Sequence, residues 1–287
     1  MTIPFTKAHG AKNDFLLTWA ADAPSGDLAA SAIAICDRHT GAGADGWLIV
    51  NPPAHGETAY DARIRLFNPD GGEVEMSGNG TRCAAAFLID AGNDRPNRDK
   101  PSRDKPSRDR KGAIRILTGA GIKHLTLLSS DGLRYSFEMN MGCPKWTAGE
   151  LHYKLKSGIE EFDCTIVNVG NPQCAVFVSD FNFDWRAAGA AIERHAYFPN
   201  RTNVSFVRCV DEHTIDVRFF ERGAGETMSS GTGSTGAAAS AVLRGLVASP
   251  IQVQTPAGPL QLKWTGGEDD VMLTGPAEIV ARGEFYY

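Results

Sequence analysis

The sequence predicts two related halves, each a mixed β-sheet wrapped round a central helix. The first observation behind this is a long-range register. The stretches "NPDGGEVEMSGNGTRC" from Asn68 and "ERGAGETMSSGTGSTG" from Glu221 match at an offset of 153 positions, which carries Arg65, Phe67, Gly72, Glu73, Ser77, Gly78 and Gly80 onto Arg218, Phe220, Gly225, Glu226, Ser230, Gly231 and Gly233. The second is that each stretch leads into a short run of small apolar residues, "CAAAFLI" and "GAAASAVL", which suits a helix enclosed by sheet on several sides. The third is the rhythm of short apolar segments and turns ahead of them.

In chain order, "FLLTW" from Phe15, "GWLIV" from Gly46 and "RIRLF" from Arg63 read as strands, rich in β-branched or aromatic residues and bounded by Gly, Pro, Asn and Asp. Between the first two, "DLAASAIAICDRH" has apolar positions at helical spacing, with Asp27 as its cap. A helix over 81–91, stopped at Gly92, follows the first glycine loop, and one over 235–244, stopped at Gly245, follows the second. Residues 93–112 carry a tandem RDKPS repeat without an apolar anchor, which predicts a mobile polar loop. The second half repeats the first more loosely: "AIERHAYFPNRTN" answers "AICDRHTGAGADG", and "NVGNPQCAVF" answers "HGAKNDFLL". Residues 1–128, with 275–287 returning to them, form one half, and 129–274 the other.

A chain of 287 residues with 42% hydrophobic content can bury a core in each half. The net charge of -5 and the lack of a sustained basic face argue against nucleic acid or an anionic membrane as partner, leaving a small polar molecule. No charged-then-apolar leader and no apolar run of ~18 residues is present, so a cytoplasmic location is expected. Cys36, Cys83, Cys143, Cys164, Cys174 and Cys209 are scattered with no C-x-x-C pair and no His at ligand spacing, as buried free thiols would be, and no metal site is expected.

The two loops carry the chemistry. A helix N-terminus offers unpaired N–H groups and the positive end of the dipole, so it receives an anion. If the halves pack about a pseudo-two-fold axis, one carboxylate held by Gly78-Asn79 and Gly231-Thr232 has Ser77 on one side and Ser230 on the other. One side chain on each face of an α-carbon is what two-base stereoinversion requires, without metal or cofactor. A lone S-G-x-G is commonly only a capped turn, and the duplicated lead-in is what favours a paired site. The string "GTGSTG" also matches a dinucleotide-binding pattern, but it does not follow directly on a strand and lacks the acidic residue about 20 positions on.

The segments "HGAKNDF", "RHTGAGADG", "FNPDGGEVEMSGNGTRC", "NVGNPQCAVF", "FPNRTNVSFV" and "ERGAGETMSSGTGS" together resemble the diaminopimelate epimerase family, in order and across nearly the whole chain. The resemblance implies an α+β fold of two pseudo-symmetric, barrel-like domains with the active site in the cleft between them. It implies a cofactor-independent isomerase, a possible homodimer, that interconverts LL- and meso-2,6-diaminopimelate in lysine and peptidoglycan biosynthesis. Carried onto this chain, Asn13, Asn68, Asn171, Asn203 and Arg222 hold the distal end of the substrate, and Glu221 accepts from its distal ammonium. Gly78, Asn79, Gly231 and Thr232 grip the reacting carboxylate.

Three positions depart from the family pattern. Ser77 and Ser230 stand where it has the reacting cysteines, and Gln173 stands where its N-P-H has histidine. A thiol ionises near pH 8.5, and a serine hydroxyl needs a strong neighbouring base to act in its place. Three readings follow: an epimerase run by differently assisted serines, another reaction such as a dehydration on the same scaffold, or amino-acid binding without turnover.

Overall fold

Strand pairing repeats the sequence register. In the computed structural model, which describes residues 2–93, 113–157 and 160–286, the chain opens with β1 (Thr2–Gly10), β2 (Asn13–Trp19), α1 (Leu28–Cys36), β3 (Gly46–Asn51), β4 (Ala62–Phe67), β5 (Glu73–Val74) and α2 (Gly78–Asn93). It continues with β6 (Ile114–Thr118), β7 (Gly121–Asp131), β8 (Arg134–Gly142) and β9 (Tyr153–Ser157). The order then recurs as β10 (Glu160–Asn168), β11 (Pro172–Phe177), α3 (Trp185–Glu193), β12 (Asn203–Asp211), β13 (Thr214–Glu221), β14 (Gly225–Thr227) and α4 (Gly231–Leu243). The last strands are β15 (Ile251–Thr255), β16 (Gly258–Lys263) and β17 (Val271–Tyr286). The polar repeat expected as a mobile loop over 93–112 lies, from residue 94 on, outside the described residues.

The chain divides into two compact units, Met1–Met139 with Gly275–Tyr287, and Asn140–Thr274. In the first, β1–β2 is antiparallel, β2–β3 parallel, β3–β4 and β4–β5 antiparallel, β4–β6 parallel, and β6–β7 and β7–β8 antiparallel. In the second, β10 to β17 follow the same sequence of senses, with parallel pairs at β11–β12 and β13–β15. Pairing of β17 with both β1 and β8 closes the first unit into a circuit of eight strands, which leaves no open edge among them. This is the α+β, barrel-like architecture expected, with mixed strand senses in each half.

Each barrel is filled by its helix. α2 packs on β1, β2, β3, β6 and β7, and α4 on β10 to β13, β15 and β16. In α4 every residue from Gly231 to Ala241 is buried, and the small side chains let strands approach the helix axis from several sides. A second core lies under the outer helix of each unit, with Ile35 of α1 over Trp47 and Phe67, and Ile192 of α3 near Trp185 and Phe206. Burial of each such side chain contributes about 1.5–3 kcal/mol.

Both central helices start earlier than the apolar runs suggest, at Gly78 and Gly231, so the glycines form the first turn. The reason is the serine ahead of each. Ser77 Oγ accepts from Gly80 N at 3.1 Å, and Ser230 Oγ from Gly233 N at 3.0 Å. A side chain at Gly233 would bring its Cβ to 2.9 Å from the Ser230 Cβ and 2.8 Å from the Phe219 ring, so the glycine here is a packing requirement. α1 is shorter than its sequence segment. Asp27 caps it through Ala29 N and Ala30 N, and Asp37 then draws in the N–H groups of His39 and Thr40 and turns the chain out of the helix.

Candidate active site

In the first unit Asn13 reaches the start of α2, and Asn68 lies in the turn after β4. Asn13 opens β2, Asn68 follows β4, and Ser77 precedes the helix whose first turn contains Gly78 and Asn79. Asn79 Nδ2 donates to Asn13 Oδ1 at 3.2 Å, and Asn13 Nδ2 donates to Asp45 Oδ2 at 2.7 Å. Asn68 anchors the turn that carries the chain toward Ser77, with its N–H donating to Gly72 O and its carbonyl accepting from Gly71 N.

In the second unit Glu221 ends β13, Arg222 begins the turn into β14, and Ser230 caps α4, with Gly231 and Thr232 in its first turn. Ser230 Oγ donates to Glu221 Oε2 at 2.7 Å, and Thr227 Oγ1 donates to Glu221 Oε1 at 2.7 Å. Since Ser230 Oγ also accepts from Gly233 N, its single proton is committed to the carboxylate. Asn203 Oδ1 accepts from Arg222 N at 3.0 Å, and Asn203 Nδ2 donates to Pro172 O at 3.1 Å, which ties β12 to the β13–β14 turn and to the start of β11. Asn171 Nδ2 reaches Thr232 Oγ1 at 3.4 Å, and Asn171 Oδ1 accepts from Gln173 Nε2 at 2.6 Å.

Gln173 is buried against α4, where Gly236 leaves room for its stem: a Cβ on Gly236 would lie 2.7 Å from that of Gln173. The Gln173 Oε1 atom is buried without a hydrogen-bond partner. An amide there holds Asn171 but has no proton to exchange, so it does not replace the titration of a histidine.

The cysteines near the loops do not supply the missing thiolates. Burial pushes the Cys83 thiol up to about 12, and contact with Cys164 together with burial holds Cys174 well above its ordinary range. Among the described residues no group of three or more His, Cys, Asp or Glu is placed to hold a metal ion.

The described geometry is two capped helix N-termini with duplicated lead-ins, with Asn13 bonded to Asn79 at the start of α2, and Asn171 and Glu221 bonded to Thr232 and Ser230 at the start of α4. The sequence profile of diaminopimelate epimerase matches residues 5–147 and 165–280. The chain belongs to the diaminopimelate epimerase family. Within that family, the enzyme of Pelotomaculum thermopropionicum is 36% identical over 296 residues, covering 99% of each chain. That of Nostoc punctiforme is 38% identical over 302 residues, covering 99% of this chain and all of the relative. The fold also matches a hydroxyproline epimerase from Agrobacterium vitis at a TM-score of 0.70 and 15% identity, over 99% of this chain and 92% of that one. A Bacillus anthracis phenazine biosynthesis protein of the PhzF family matches at 0.69 and 16%, over the full length of both.

Two residues beside these helix starts were not singled out from sequence. Thr227 holds the far oxygen of Glu221, and Arg82, fully buried in α2, donates to Asn79 Oδ1. The signal for Arg82 was a cation one position ahead of the apolar run "CAAAFLI".

Proposed function

We propose that this protein is a diaminopimelate epimerase that inverts the α-carbon between the LL and meso forms by cofactor-independent proton transfer, with Ser77 and Ser230 as the two exchanging groups. The observation that carries the reading is the hydrogen bond from Ser230 to Glu221 on a family scaffold that keeps the substrate-holding residues. Glu221 takes the serine proton as the serine oxygen takes the substrate's α-proton, so no free alkoxide forms. The position matching Glu221 in the first half is Asn68, a neutral amide, so Ser77 passes a proton to the other face and takes one back from solvent water in the same step; the hydroxide left behind is neutralised by the proton that Glu221 releases. The helix N-termini bind the reacting carboxylate and stabilise the charge that spreads onto it as the α-proton leaves. Asn13, Asn68, Asn171, Asn203 and Arg222 hold the distal amino-acid end in this reading, and Glu221 serves both that end and Ser230. In this reading the enzyme works in the cytoplasm, in lysine and peptidoglycan biosynthesis, as a homodimer.

A second reading, epimerisation or dehydration of a different amino acid, is favoured by one feature: serines and Gln173 occupy the positions where the family pattern has its titrating groups. Incubation with LL-diaminopimelate in deuterium oxide, followed by proton NMR, separates the two. Loss of the α-proton signal with appearance of the meso form supports the epimerase. No exchange at high enzyme concentration, with exchange or water loss on a hydroxylated amino acid, supports the alternative.

A further inference from the structure

Arg82 has no exposed surface, and among the described residues its only hydrogen-bond acceptors are Pro276 O, at 3.0 Å from Nε, and Asn79 Oδ1. Its Nη1 is buried without a partner, and no carboxylate among the described residues pairs with it. The guanidinium is accommodated because residue 275 is glycine: a Cβ there would stand 2.8 Å from Arg82 Cζ. A buried cation without a counter-charge is a costly arrangement, and a negative charge brought in from outside would relieve it.

The hydrogen bonds leading away from Arg82 have one possible direction. A guanidinium only donates, so it faces the oxygen of Asn79; the nitrogen of Asn79 then faces Asn13, whose oxygen must accept. The nitrogen of Asn13 consequently donates to Asp45, which only accepts. Asp45, 41% exposed, is itself held by Arg38 Nη2 at 2.7 Å.

We propose that Arg82 and Asp45 are positioning residues at the two ends of a polarised hydrogen-bond chain that locks Asn79 and Asn13 with their nitrogens as donors, and that Arg82 is the counter-charge for the substrate carboxylate bound at the start of α2. A donor-only end of this kind accepts a carboxylate and rejects an ammonium or a neutral amide of similar shape. The inference deepens the epimerase reading and rests on it for the identity of the carboxylate.

The test uses the full-length, ¹⁵N-labelled protein. In the absence of ligand, Arg82→Met and Asp45→Asn are each expected to shift the side-chain amide resonances of both Asn13 and Asn79, although each replaced residue touches only one of them. With LL-diaminopimelate, Arg82→Met is expected to raise KM by about tenfold or more with a smaller change in kcat, and Arg82→Met with Asn79→Ala to be no worse than Asn79→Ala alone. Amide shifts confined to the directly touched residue, or losses that multiply in the double variant, would overturn the proposal. Should Arg82→Met fail to fold, Arg82→Lys and the surface variant Asp45→Asn carry the same amide measurement. If the unmodified protein exchanges no α-proton, the epimerase reading fails, while the ligand-free amide resonances still decide whether the chain exists.

Discussion

Ser230 donates its hydroxyl proton to Glu221 at 2.7 Å, whereas Ser77, its counterpart in the first half, has Asn68 at the position that corresponds to Glu221. The duplication has therefore kept the capped helix on both sides and a carboxylate on only one. The same divergence touches the ion pairs of the lead-in. Arg65 holds Glu73 with two hydrogen bonds of 2.8 Å, but their counterparts have separated, Arg218 going to Asp216 and Glu226 to Arg186.

Removing the carboxylate while keeping the hydrogen bond tests this asymmetry. Glu221→Gln is expected to lower α-proton exchange from LL-diaminopimelate by about 10²–10⁴-fold, the range of a lost general base, with less effect on binding. Asn68→Asp is expected to change the ratio of forward to reverse exchange rates, because it puts a second acceptor beside the acid. If Glu221→Gln exchanges protons at the starting rate, the serine–glutamate pair is not the base.

Placing cysteine at residues 77 and 230 together should raise exchange and make it climb with pH through the thiol range, about 8.5 or lower at a helix N-terminus. The sign follows from the thiolate being the base: its population grows as pH rises. Exchange rates across pH 6 to 9 check this, and a flat profile in the double variant would mean that neither position handles the proton.

Much of this was legible in the sequence, and what was not has a physical reason. The register between the two loops marked both caps and the duplicated architecture, because each serine cap is followed by a glycine turn at the same spacing, a turn that packing requires at Gly233 against Phe219. The helix starts were placed late, since a glycine-rich turn lacks the apolar spacing that signals a helix. The contact of Ser230 with Glu221 depends on the β13–β14 hairpin folding the chain back over nine residues, which no local pattern reports. The burial of Arg82 is not legible in the sequence, because a cation is ordinarily at the surface. Its burial comes from Pro276, which is 194 residues away.

The C-terminal end of α4 gives a prediction about acid stability. Arg244 donates to both oxygens of Asp163, at 3.0 and 2.8 Å, and these hydrogen bonds hold the carboxyl below the usual carboxylate range. A lowered folded pKa stabilises the protein above the unfolded value of about 3.9, and that contribution is lost as pH falls through the folded value. Asp163→Asn should thus be less stable than the parent at pH 6 and approach it as the medium is acidified toward pH 3. Urea unfolding at the two pH values measures the difference, and a gap that persists unchanged at pH 3 would contradict it.

The paired glycines at the third helical position should respond unequally to a methyl group. At Gly80 the nearest atoms to an added Cβ are 3.3 to 3.4 Å away, on Ser77, Leu48 and Phe15, so small side-chain shifts absorb it and the better helix propensity of alanine, about 1 kcal/mol, offsets the crowding. At Gly233 the Phe219 ring stands at 2.8 Å and the Ser230 Cβ at 2.9 Å, and Phe219 is itself buried with nowhere to move. Gly233→Ala is therefore expected to cost about 1–3 kcal/mol in urea unfolding, and Gly80→Ala to stay near the parent. The same methyl pushes Ser230 away from its place against Glu221, so exchange by the folded fraction of Gly233→Ala should fall as well, while Gly80→Ala keeps most of its rate. Equal losses of stability in the two variants would mean that the close approach of the Ser230 cap to its helix does not exist in solution.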